Sequence, residues 1–124
     1  MCQGRSVTTG SAETSQDGSD DESRARLDRE LRRVADRLRT LGPARLERAG
    51  EDGKSPATVA HQAAQALADL AADAQGRGRR AVPVLPAHAL ADQVTVTGND
   101  LLAEGDDAAL RAGADRLTWL RRAL

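Results

Sequence analysis

The chain is predicted to be all-α: an antiparallel helical bundle of about four helices behind a disordered acidic N-terminal tail. Three observations predict this. Leu27, Leu31, Val34, Leu38 and Leu41 recur at spacings of 4, 3, 4 and 3, the heptad seam of a helix buried along one side. Further segments each carry an N-cap or first-turn proline and an apolar stripe at helical spacing. The one strand-like run, Val94–Thr97 turning at Gly98 and Asn99, has no partner strand elsewhere, and an isolated strand is not stable.

The 124 residues have room for one domain, because compact domains most often hold about 100 to 150 residues. The expected division is a tail over 1–20 and a bundle over 21–124. Residues 1–23 are rich in Ser, Thr, Gly and Asp and carry Arg5 against Glu13, Asp17, Asp20, Asp21 and Glu22. So little apolar surface cannot offset the entropy of ordering. The first helix is expected over 21–41, with acidic residues at its positive end. Gly42 and Pro43 break it, and a further turn follows around Leu46.

Ser55 and Pro56 supply an N-cap and a first-turn proline for the second helix. Its inner stripe is predicted to be Val59, Ala63, Ala66, Leu67, Leu70 and Ala74, ending at Gly76 and Gly78. Val82 to Pro86 is an extended connector, since its two prolines forbid helix through it. The third helix starts near Pro86, with Leu90, Val94, Thr97 and Leu101 on one face and Val96 and Leu102 off it. The sparse charge from Pro86 to Ala103 predicts the most enclosed helix of the set. Asp106 and Asp107 open the fourth, whose inner face is Leu110, Leu117, Leu120 and Leu124 and whose last turn carries Arg121 and Arg122.

Composition narrows the function classes. No run of eighteen apolar residues and no leader pattern occurs, which indicates neither a membrane span nor export and makes the cytoplasm the default. Cys2, the lone cysteine, has no disulfide partner in the chain. With no Phe or Tyr and only Trp119, leucine, valine and alanine must fill the core. Such a thin interior favours additional burial through self-association or a partner.

Motifs with chemical meaning fail on inspection. Gly53, Lys54 and Ser55 resemble the end of a phosphate loop, but the pattern needs glycine where Arg48 stands. Gly76, Gly78 and Ala81 fit a dinucleotide fingerprint in spacing, yet they follow a helix rather than a strand. His61 and His88 both fall opposite their helices' stripes and are expected to face solvent. Neither belongs to a metal-ligand constellation. No nucleophile elbow occurs, and the paired acids Asp20, Asp21 and Asp106, Asp107 sit at helix starts, where capping explains them. The chain is therefore read as non-enzymatic, with no catalytic residue, metal or cofactor assigned.

Two surfaces remain. Arg29, Arg33 and Arg37 stack at four-residue spacing on the first helix, where like charges repel by a few tenths of a kcal/mol per pair. Residues 24–48 hold nine arginines against four acids, so an anionic partner, including the chain's own tail, suits this face. Trp119 lies off the leucine face of the last helix. It either rests across the stems of Arg116 or Arg122, or beneath the connector, or anchors an interface, as tryptophan often does. The resulting expectation is an interaction or oligomerisation module, a homo-oligomer or the subunit of a protein partner, using the heptad seam, the Trp119 face or both. The alternative is an electrostatic nucleic-acid binder using the first helix, with Arg77, Arg79 and Arg80 as a second cluster. Against that stand a pI near 6.1 and the lack of aromatic residues for base stacking.

Overall fold

The computed structural model describes residues 18–124 in full and, for residues 2–17, the backbone alone. Its elements are α1 (Cys2–Leu41), α2 (Pro43–Glu47), α3 (Pro56–Ala74), a 3-10 turn (Ala87–Ala89), α4 (Leu90–Glu104) and α5 (Asp107–Ala123). No strand occurs among the described residues. The expected tail over 1–20 lies mostly outside the fully described residues, and its last three belong to α1, so helix precedes the predicted start at 21.

Local signals account for the helix ends. Gly42, at φ 78° and ψ 161°, takes a positive-φ conformation open essentially to glycine alone where α1 ends. Ser55 Oγ accepts the Thr58 N–H at 3.1 Å and opens α3. Asp106 accepts the Ala109 N–H at 2.9 Å and opens α5. Val94–Thr97 is helical within α4, and Thr95 and Thr97 turn their hydroxyls back onto carbonyls one turn earlier. That spares the polar groups a buried loss.

Two of the four main helix pairs are antiparallel and two are parallel. α1 packs on α5 and α4, and α3 packs on the same two. α1 and α5 run parallel: Ser23 donates to Asp107 at 2.7 Å, Arg26 to Asp115 at 2.8 Å, Arg121 to Glu30 at 2.9 Å and Arg37 to the Leu124 main-chain oxygen at 3.2 Å. α3 and α4 are also parallel, because Gln75 past the end of α3 reaches Glu104 at the end of α4. The antiparallel pairs are α1 with α4, joined by Arg24 to Leu102 and Arg39 to Asp92, and α3 with α5. The expected antiparallel bundle therefore holds for two pairs and is corrected for the other two, and the cause is the connector. Rather than turning sharply after α3, it runs back along that helix, with Gln65 and His61 touching Arg80 and Val82, and delivers α4 to the end where α3 began. Extended chain rises about twice as far per residue as helix, so eleven or so residues retrace a helix of nineteen.

The seam of α1 is spent inside the chain. Leu27, Leu31, Val34, Leu38 and Leu41 are all buried, which leaves the heptad row nothing to offer a second copy. On α3 the buried face is Ala60, Ala63, Ala64, Leu67 and Ala71, while the expected Val59, Ala66, Leu70 and Ala74 are only half-buried. The helix has turned its smallest residues inward, so that leucines of its neighbours close over a flat alanine surface. α4 and α5 bury the leucines expected of them, apart from half-buried Leu124, and Val96 stands out in solvent.

Gly113 of α5 lies at the point where the four long helices converge. A Cβ there would come within 2.5 Å of a Leu101 methyl and 3.4 Å of Leu27 and Leu67 methyls. Alanine normally gains about 1 kcal/mol over glycine inside a helix. Overpacking a filled core costs about 1 to 3 kcal/mol, and Leu101 is fully buried with nowhere to swing. Gly113→Ala is expected to lower stability by about 1 kcal/mol net, read as a lower urea midpoint at unchanged m-value; a midpoint at or above wild type would show that the leucines have slack.

Candidate partner-binding site

Trp119 stands on α5, away from the leucine face, and is 51% exposed. The Arg116 guanidinium lies 4.8 Å from its ring centroid, a cation–π stack that covers one face of the indole and holds the side chain in place. Trp119 also lines a cavity of about 420 Å³ at one end of the bundle. Its apolar wall comes from Leu41 at the end of α1, Pro56 and Val59 at the start of α3, and Ala123 and Leu124 at the end of α5.

The opposite rim is basic. α2 is anchored by buried Leu46, which turns Arg45 toward the cavity, and Arg48 and Lys54 follow on the loop. That loop is stitched by Gly50 N–H to the Lys54 carbonyl at 2.8 Å, Gly53 N–H to the Gly50 carbonyl at 3.0 Å, and Lys54 N–H to Asp52 at 3.0 Å. Among the described residues none of Arg45, Arg48 and Lys54 pairs its side chain with an acid. Asp52 is the one acidic side chain lining the cavity among the described residues. The arrangement offers an indole edge, an apolar floor and a surplus of positive charge.

The α1 arginines do not join this site as a group. Arg29 is exposed without a described partner, Arg33 lies 3.6 Å from Glu30, and Arg37 donates to the Leu124 main-chain oxygen. Only Arg37 reaches the rim, through Leu124. Of the second cluster, Arg77 pairs with Glu104 and Arg79 with Asp73 at 2.7 Å and Asp69 at 3.8 Å. The Arg79 hydrogen bond holds the Asp73 carboxyl below the usual carboxylate range. Arg80 alone has no such partner among the described residues.

His61 departs from expectation. It is half-buried rather than solvent-facing, and its Nε2–H donates to the Val82 carbonyl at 2.9 Å. The ring thereby serves the connector as a tether. His88 is exposed, as its position on the helix implied. Among the described residues no group of three or more His, Cys, Asp or Glu is placed to hold a metal ion. None of their helices is long and apolar enough to cross a membrane.

Comparison with protein-family models, with curated proteins and with solved structures found no match.

The sequence also hid a buried ion pair. Glu30 on α1 is 6% exposed and takes a two-pronged bond from Arg121 on α5, at 2.9 and 3.3 Å. That hydrogen bond, against the opposing effect of burial, holds the Glu30 carboxyl below its ordinary value, with Arg33 assisting. Glu30 was legible only as a neighbour of the arginine stack, since its partner lies 91 residues away.

Proposed function

We propose that the chain is a non-enzymatic interaction module that docks an acidic protein segment in the Trp119 groove, with an apolar side chain of the partner seated against Trp119, Val59 and Leu41. The observation that carries this reading is the half-exposed tryptophan beside an apolar cavity whose rim holds Arg45, Arg48 and Lys54 with no acid paired to them among the described residues. Tryptophan fixed against an arginine presents a large contact area at little conformational cost. Cations left without internal partners speed and orient the approach of an anionic surface. With the α1 seam buried inside the chain, a partner has this groove rather than a coiled-coil face to use.

The test uses Trp119 itself, the only tryptophan in a chain without tyrosine, so intrinsic emission reports on the groove directly. Titration with a Glu/Asp-rich peptide carrying one leucine is expected to shift its emission to the blue, saturably and more weakly as salt rises. Arg48→Glu with Lys54→Glu is expected to weaken the response at least ~10-fold, the loss of roughly 1.4 kcal/mol of binding. Unchanged emission would overturn the reading. So would a response to single-stranded oligonucleotide but not to the peptide, which would favour nucleic acid. A shift that grows with protein concentration alone would instead point to a second copy of the chain.

A further inference from the structure

The connector between α3 and the 3-10 turn shows a second surface, independent of the Trp119 groove. Residues 77–86 adopt no helix, strand or turn. From Gly78 to Leu85 no backbone-to-backbone hydrogen bond forms among the described residues. Side chains of the body hold this stretch instead. Gln65 donates to the Arg80 carbonyl at 2.9 Å and accepts the Val82 N–H at 2.7 Å. His61 donates to the Val82 carbonyl, and Gln93 to the Pro83 carbonyl at 2.7 Å.

Within the stretch only Val82 is drawn toward the core. Val82 is half-buried against the core and Leu85 is 39% exposed, whereas Val84 between them is 83% exposed. Arg80, Pro83 and Pro86 are exposed as well. Three residues per turn, no internal hydrogen bonds and prolines fixing φ are the marks of a polyproline II helix. Pro86, at φ −57° and ψ 154°, lies in that region. Val82 then marks the edge facing the body. Arg80, Pro83 and Pro86 share one outward edge, and Ala81 and Val84 the other.

We propose that Arg80–Pro86 is a preformed polyproline II ligand displayed by the bundle. Its partner is a protein domain with an aromatic-lined groove for Pro83 and Pro86 and a carboxylate for Arg80. Arg77 and Arg79 are neutralised by Glu104, Asp73 and Asp69, which leaves Arg80 as the cation of the edge. The carbonyls of Ala81, Val84 and Leu85 accept no hydrogen bond among the described residues, so they remain open to indole or phenol donors of the partner. Strand addition is the wrong mode, because Pro83 and Pro86 have no N–H to give a ladder. The tethers from Gln65, His61 and Gln93 hold the segment extended before it binds, which reduces the ordering cost a free peptide incurs.

The test titrates the isotope-labelled full chain with a Src-homology-3 domain that binds basic-x-x-Pro-x-x-Pro peptides, followed by amide chemical shifts. Saturable shifts centred on residues 79–87 are expected. Pro83→Ala and Arg80→Glu should each weaken binding ~10-fold or more, while Trp119→Ala leaves it unchanged. Val84→Glu, on an exposed side chain outside the core, is a further variant expected to keep the fold and lose affinity. Absence of shifts with the domain in large excess would overturn the proposal. So would binding indifferent to Pro83→Ala, or shifts mapping to the Trp119 groove. Because the acidic-peptide response of Trp119 reads a different surface, either proposal can fail while the other stands.

Discussion

Leu67→Ala is expected to be the most damaging single truncation in α3, lowering stability by about 3 to 5 kcal/mol. Leu67 is fully buried, and every other buried residue of α3 is an alanine. It is therefore the one large side chain that the helix drives into the bundle, where its methyls lie beside Gly113. Removing it leaves a cavity bounded by close-packed alanine backbone on one side and fully buried Leu101 and Leu110 elsewhere in the core. No Phe or Tyr exists to tilt into the space, and a site that cannot collapse pays the cavity cost in full. A domain of this size is stable by roughly 5 to 15 kcal/mol in all, so the melting temperature should fall by roughly 15 °C. Truncation of half-buried Leu70, at the margin of the same helix, should cost less than half as much. Equal losses at the two positions would contradict the rotated burial face of α3.

Arg121→Ala is expected to lower stability, because it leaves the Glu30 carboxylate with only Arg33 at 3.6 Å for company. The Arg121 side chain is itself 33% exposed, which keeps the loss below that of a fully buried pair. The double replacement Glu30→Leu with Arg121→Met should recover much of the stability, since two apolar groups of similar size strand no charge. The pH dependence follows from the lowered Glu30 pKa. Folded glutamate holds its proton less tightly than the unfolded side chain, whose value lies near 4.5. The pair therefore contributes fully above that pH, and its contribution disappears as pH falls through the lower folded value. The difference in urea midpoint between wild type and Arg121→Ala should be constant at neutral pH and shrink below about 4.5. A difference that stayed flat to pH 3 would show that the pair is not what stabilises this contact.

Much of the architecture was legible because it depends on neighbours in the chain. Ser55 with Pro56, Asp106 and Gly42 mark helix ends through bonds made within a turn, and the seam from Leu27 to Leu41 foretold which side of α1 is dry. The outward placement of Trp119 against Arg116 followed from their three-residue spacing on one helix. The α3 face was misjudged for a physical reason: alanine scores weakly as apolar, so Val59 and Leu70 drew the stripe toward themselves. Tight packing instead rewarded the row of smallest residues. The groove was missed because its wall is assembled from α1, α2, the loop to α3, α3 and α5. Arg45, Arg48 and Lys54 show no motif when read in line. His61 was misplaced because helical periodicity alone ignores a connector folded back over that face.

What the amino-acid order determined unaided was the set of helices, their ends and most of their inner faces, since hydrogen bonds and side-chain periodicity within a segment are decided over a few residues. Tertiary structure decided direction and company: that α4 runs alongside α3 rather than against it, that Glu30 meets Arg121, and that Trp119 gains a basic rim. Those outcomes turn on contacts between residues tens of positions apart, as with Glu30 and Arg121 at a separation of 91. They also turn on a proline-stiffened connector long enough to retrace a helix, and no local pattern records where such a segment will come to rest.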